Sequence, residues 1–159
     1  MKVLITGACR PIGLALVRSA PPHADLRALT HAELDIADRG DVRAAVAVFQ
    51  PELIINAAAP TAAPRFLAQA ARSILDCRML HVSTELADED AVLEELRERA
   101  VVLRTAWAHQ RGTPTPADSI ARALWAIAER PGIRGIVHWT DDGDASWQSL
   151  AAGPLGAGG

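Results

Sequence analysis

The stretch Lys2-Val3-Leu4-Ile5-Thr6-Gly7-Ala8-Cys9-Arg10-Pro11-Ile12-Gly13 decides the fold. Lys2 to Thr6 is a short apolar run, Gly7 to Arg10 is turn-like, and Pro11-Ile12-Gly13 opens a run of helical spacing. Strand, tight turn and helix in this order begin a βαβ unit. In such a unit one glycine permits the sharp turn, another lets backbone approach a pyrophosphate, and a third lets helix and strand pack closely. The N–H groups at the helix start then face the phosphates.

The glycine pattern is incomplete. Read as T-G-x-x-G-x-x-G, the middle glycine is replaced by Arg10; read as T-G-x-x-x-G-x-G, it is replaced by Pro11. In the second register Arg10 falls where a basic residue is often found. Proline suits the first position of a helix but removes one N–H from the anion site. Two readings stay open: a Rossmann-type turn that binds nucleotide, and one that no longer does.

The chain has 159 residues, half of them hydrophobic, enough for one domain with a full core. A net charge of −3 gives no basic footprint for nucleic acid. No apolar run is long enough for a membrane span, and the first residues enter a strand without a leader of signal type, so a cytoplasmic protein is expected. Cys9 follows the first strand and Cys77 precedes a later one, at opposite ends of a parallel sheet, so no disulfide between them is expected. Lys2 is the sole lysine beside fifteen arginines, and there is no tyrosine.

Strand and helix patterns alternate along the chain. Helix is expected from Pro11 to Ala20, strand from Ala24 to Leu29, and a short strand at Glu33-Leu34-Asp35-Ile36. Asp38 resembles an N-cap for a helix from Gly40 to Gln50, and Leu53-Ile54-Ile55-Asn56 reads as a strand covered on both faces. Ala57-Ala58-Ala59 follows, small enough for a flat ligand to lie against the backbone. Thr61 to Ile74 is helical in pattern, Arg78 to Val82 a strand ending in Ser83-Thr84, and Glu85 to Arg99 a helix whose acidic residues read as a solvated face. Val101 to Thr105 and Gly135 to Trp139 are the last strands, with between them a helix that starts at Thr115-Pro116-Ala117-Asp118. A helix fragment is expected over Ser146 to Ala152, and the glycine-rich tail 153–159 is expected to be disordered. The fold expected is therefore a doubly wound, Rossmann-like parallel sheet of six or seven strands, a single domain over 1–152 with little or no separate substrate domain.

Ser83 and Thr84 end a strand at the carboxyl edge, where ligands bind in open α/β sheets, though Thr84 also suits a helix cap. The second strand ends without an acid to read a ribose until Glu33; with Arg10 nearby, this favours NADP(H) over NAD(H), and no cofactor is the remaining alternative. The five histidines are scattered, with no metal-ligand spacing, so no metal is expected. His81, inside a strand, reads as a core histidine.

Taken jointly, Thr6-Gly7-Ala8, Glu33-Leu34-Asp35-Ile36, Ile55-Asn56-Ala57-Ala58-Ala59, His81-Val82-Ser83-Thr84, Leu103-Arg104-Thr105-Ala106-Trp107, Gly112-Thr113-Pro114-Thr115 and Ala145-Ser146-Trp147 resemble the dTDP-4-dehydrorhamnose reductase family, sugar nucleotide-binding members of the extended short-chain dehydrogenases. The resemblance runs from Met1 to about Ala152. It implies cofactor contacts at Gly7, Cys9, Arg10, Pro11, Ile12, Gly13, Asp35, Ile36, Ala57, Ala58, Ala59 and Thr105. It implies a catalytic hydroxyl at Thr84 or Ser83, and substrate-side positions at Thr113 and Trp147. Family members are longer, and blocks are missing here after Ala59, after Thr84 and around Trp107-Ala108. The family's catalytic tyrosine has no counterpart, and Glu85 stands where its lysine would be.

Three functions are compatible with these residues. One is a reductase-like protein that binds NAD(P)(H) and a nucleotide-sugar with weak or no reductase activity. Another is an active reductase whose proton donor is His81, His109 or a water held by Thr84. The third is a non-enzymatic subunit that pairs with itself or with a protein partner.

Overall fold

The computed structural model describes residues 1–58, 64–83, 89–105 and 116–139. The elements are strands β1 (Lys2–Thr6), β2 (Asp25–Leu29), β3 (Leu53–Asn56), β4 (Arg78–Ser83), β5 (Ala100–Thr105) and β6 (Gly135–Trp139). Between them lie helices α1 (Pro11–Arg18), α2 (Arg39–Phe49), α3 (Pro64–Arg72), α4 (Glu89–Leu96) and α5 (Ala117–Ala128). All pairings are parallel, and the strand order is β2-β1-β3-β4-β5-β6.

Sequence pattern follows position in the sheet. The four residues of β3 and Val3 to Thr6 of β1 are all buried, because helices cover both faces of central strands. The edge strands β2 and β6 instead alternate between more and less exposed residues. On one face α1 and α5 pack against Val3, Ile5, Ile55, Leu80 and Leu103. On the other α2, α3 and α4 pack against Leu4, Ile54 and Met79. Two indoles lock the first layer: Trp125 Nε1 donates to the Leu16 carbonyl at 3.2 Å, and Trp139 Nε1 to Ser119 Oγ at 3.2 Å.

Three expectations need correction. Glu33 to Ile36 is no strand. A parallel crossover needs a dozen or more residues, and only Thr30 to Ala32 separate this stretch from β2. It forms a turn that drops Leu34 and Ile36 into the core. Of the acidic helix read over Glu85 to Arg99, residues 85–88 lie outside the described residues, and the described part is a helix over Glu89–Leu96 that continues as a 3₁₀ turn, Arg97–Arg99; its solvated face has one exception, because Glu89 is 1% exposed. Helix α5 begins one residue later than read, with Pro116 at the N-cap and no side-chain cap bond. Thr115, the segment Ser146 to Ala152 and the tail lie outside the described residues.

The cysteines are free, Cys9 exposed and Cys77 buried. Burial pushes the Cys77 thiol up to about 12, against a smaller downward pull from Arg99. No helix among the described residues is long and apolar enough to cross a membrane.

The tightest packing constraint on α1 is at Gly13. A Cβ there would overlap the Gly7 carbonyl oxygen and lie 2.8 Å from Ala8 Cα, both of them backbone. Gly13→Ala is therefore expected to destabilise the fold by about 1–3 kcal/mol, lowering the thermal midpoint by roughly 2–4 °C per kcal/mol. An unchanged midpoint by circular dichroism would contradict this packing.

Candidate functional site

After β1 the chain turns into α1 on one face of the sheet; after β3 it leaves for α3 on the other. Neighbouring strands whose connections diverge in this way open a crevice at their carboxyl ends, the switch point of a doubly wound sheet. Gly7 sits in it with φ +74°, and a Cβ there would come 2.6 Å from the Ala57 carbonyl oxygen and 2.7 Å from Ala58 Cα. Only glycine meets both demands. The sequence-predicted residues Gly7, Ala57 and Ala58 are thus brought into direct contact.

Cys9, Arg10 and Pro11 line the turn and are exposed. Arg10 is the N-cap of α1 and makes no side-chain cap bond. By contrast Asp38 caps α2, accepting from the N–H groups of Gly40 at 2.8 Å and Asp41 at 3.0 Å. The first turn of α1 therefore keeps its N–H groups at Ile12 and Gly13 for another acceptor. The Ile12 side chain itself packs in the core. Asp35 is exposed and accepts the Ala37 N–H at 2.9 Å, while the Ile36 side chain belongs to the core beside Leu4 and Ile54. Thr105 closes β5, and its hydroxyl is buried without a hydrogen-bond partner among the described residues. Ala59, Thr84, Thr113 and Trp147, together with Glu85 and His109, lie outside the described residues.

A polar seam crosses the sheet just below this edge, and most of it is absent from the sequence reading. Thr6 Oγ1 donates to Asn56 Oδ1 at 2.7 Å, and the Ala58 N–H donates to the same oxygen at 3.1 Å. That fixes the Asn56 amide, so its Nδ2 donates to His81 Nδ1 at 3.0 Å. His81, 7% exposed, is the core histidine expected. With Nδ1 accepting, the ring carries its proton on Nε2. Further along, Ser83 Oγ donates to Glu89 Oε1, and Arg104 grips the same carboxylate with Nε at 2.9 Å and a terminal nitrogen at 2.6 Å. Burial is the largest single influence on Glu89 and raises its pKa. The Arg104 and Ser83 hydrogen bonds, with the charge of Arg104, together outweigh it and hold the carboxyl below its ordinary value. Spacing hides these pairings: Asn56 and His81, 25 apart, meet through strand register, and Glu89 and Arg104, 15 apart, through the packing of α4 on β5.

This arrangement sets a proton inventory. Ser83 has one hydroxyl proton and gives it to Glu89. The lowered Glu89 pKa means that its stabilisation is complete above the unfolded value near 4.5 and is lost as pH falls through the folded value. Arg104→Ala leaves the carboxylate buried without its cation. The variant is expected to be less stable than wild type at neutral pH, by less than a fully buried pair would lose, because a third of Arg104 stays in water. The acid limb of stability against pH should also move to higher pH. Urea melts from pH 3 to 7 check both, and parallel curves for wild type and variant would contradict the assignment. Nitrogen-detected NMR at neutral pH should find the His81 proton on Nε2; a proton on Nδ1 would contradict the Asn56 orientation.

A family model described as the RmlD substrate binding domain matches residues 1–75. The chain is 31% identical, over 222 aligned residues, to a probable dTDP-4,6-dihydroxy-2-methyloxan-3-one 4-ketoreductase from Streptomyces antibioticus, covering 95% of this chain and 75% of that protein. The alignment is wider than the 159-residue chain, so the relative carries internal segments absent here. By fold alone the chain is similar to a Bacillus anthracis dTDP-4-dehydrorhamnose reductase in complex with NADP (TM-score 0.77, 18% identity, 95% of this chain and 80% of that one). It is similar in the same way to the Bordetella bronchiseptica enzyme WbmH in complex with NAD+ (TM-score 0.62, 16% identity, 95% and 79%). Likeness in sequence over nearly the whole length, on a parallel sheet of this topology, leads to one placement: the chain belongs to the dTDP-4-dehydrorhamnose reductase family of extended short-chain dehydrogenases.

Proposed function

We propose that the chain binds a nicotinamide dinucleotide, NAD(P)(H), over the carboxyl ends of β1 and β3, and reduces a nucleotide-linked keto-sugar weakly or not at all. The observation that carries this reading is the uncapped start of α1 beside the Gly7–Ala57 contact. Backbone N–H groups there are free to meet a pyrophosphate, and no Cβ stands in its way. In this reading Gly7, Cys9, Arg10, Pro11, Ile12 and Gly13 form the phosphate turn. Asp35, Ile36, Ala57, Ala58, Ala59 and Thr105 surround the rest of the cofactor, and Thr113 and Trp147 lie on the sugar side. The finer preference, NADP(H) over NAD(H), rests on Arg10, an exposed cation at the turn.

The expectation of weak chemistry follows from proton supply. Hydride addition to a ketone leaves an alkoxide that must be protonated. The chain contains no tyrosine, and its sole lysine opens β1. Ser83 directs its proton to Glu89, which leaves Thr84 as the hydroxyl that would hold the carbonyl, in a chain with no tyrosine to act as acid. Losing a positioned acid costs on the order of 10²–10⁴ in rate.

Calorimetric titration with NADPH and NADH tests the reading, followed by NADPH oxidation with a dTDP-linked 4-keto-sugar. Saturable binding with little or no turnover is expected. Arg10→Ala should weaken NADPH more than NADH, and Thr84→Ala should abolish residual turnover. No binding at millimolar cofactor would overturn the proposal, and an unchanged rate in the Thr84 variant would remove that residue from it.

A further inference from the structure

We infer that Glu33 reads the adenosine ribose of the bound dinucleotide, accepting its 2′-hydroxyl and opposing a 2′-phosphate. This rests on the nucleotide-binding reading above and adds what decides between the two cofactors.

In open α/β sheets the ribose is read by an acid at the end of the second strand. Here β2 closes at Leu29 and is followed by Thr30 and His31, so the position looks empty in the sequence. The chain then makes a single turn in which the N–H groups of Glu33 and Leu34 donate to the Thr30 carbonyl at 3.1 and 3.0 Å. That turn carries the Glu33 side chain back to the strand end. Its Oε2 accepts the Thr30 N–H at 2.9 Å and the Thr30 hydroxyl at 2.8 Å. A carboxylate three residues downstream thus stands beside the first residue after β2.

The same strand end touches the nucleotide turn, because the Ala8 N–H donates to the Leu29 carbonyl at 3.1 Å. The turn that holds Glu33 and the turn at Gly7–Ala8 are therefore tied to one strand end. Thr-x-x-Glu is a capping box, and capping alone would account for the fold-back. But both Thr30 donors fall on Oε2, and Oε1 accepts no bond among the described residues. A carboxylate has about four lone-pair sites, so acceptor capacity remains for a hydroxyl. The group is also anionic at neutral pH: the Thr30 N–H first, then its hydroxyl, with the Arg27 charge adding to them, hold its pKa below the ordinary value. A 2′-phosphate placed there faces a like charge. Arg10 pulls the other way, so the two side chains set the cofactor balance in opposition.

The test is calorimetry on the full chain with NADH, NADPH and the 2′-deoxyadenosine analogue of NADH. The deoxy analogue is expected to bind on the order of tenfold more weakly than NADH. Glu33→Gln keeps the capping bond, since glutamine serves at that position, and removes the charge. It should shift the NADH-to-NADPH affinity ratio toward NADPH by on the order of tenfold with an unchanged thermal midpoint. Equal affinity for NADH and its deoxy analogue, or an unchanged ratio in Glu33→Gln, would overturn the inference while leaving nucleotide binding intact. Failure of wild type to bind any of the three would overturn both.

Discussion

Backbone-to-backbone contact at the switch point is the constraint on which the rest depends. Gly7 presses on Ala57 and Ala58, and Gly13 presses on Gly7 and Ala8. These contacts fix the spacing of β1 and β3 at their carboxyl ends and the pitch at which α1 leaves the sheet. Because the first helix departs on one face and α3 on the other, the crevice between them is a consequence of topology. Its polarity follows from α1, whose first turn has no side chain to satisfy it. A proline at the helix start costs the site one donor but also fixes the backbone in a helical conformation from the outset.

The second organising feature is electrostatic. Thr6, Asn56 and His81 form one hydrogen-bonded group across three strands, and Ser83, Glu89 and Arg104 form another across β4, α4 and β5. Both lie on the face covered by α2, α3 and α4. A buried carboxylate this well partnered is firmly ionised and tethers the start of α4 to two strand ends. The same bonds remove Ser83 from the pool of proton donors. Under the proposed reading, a chain without tyrosine binds the cofactor but protonates an alkoxide slowly.

Much of the fold was legible because central parallel strands are continuous apolar runs and their turns carry glycine or proline. Leu53 to Asn56 and Gly135 to Trp139 form strands as read. The pattern failed at Glu33 to Ile36, where alternating apolar residues serve a turn that buries Leu34 and Ile36; connection length forbids a parallel strand there, and periodicity does not see connection length. At the site, the glycine turn and the small residues after β3 were readable from local chemistry. The Glu89 pair was not, since an acidic helix looks solvated until register brings Arg104 opposite it. Glu33 is readable as the fourth residue of a capping box beginning at Thr30, whereas counting along the chain alone leaves the acid past the strand end.

The central claim is the location of the ligand. Amide chemical-shift mapping during titration with NADPH tests it most directly. The account predicts changes concentrated at Gly7 to Gly13, Thr30 to Ile36, Asn56 to Ala58 and Thr105. Changes centred instead on the cavity of about 310 Å³ that Arg39, Arg43, Phe66 and Arg72 line between α2 and α3, or no changes at saturating nucleotide, would contradict it.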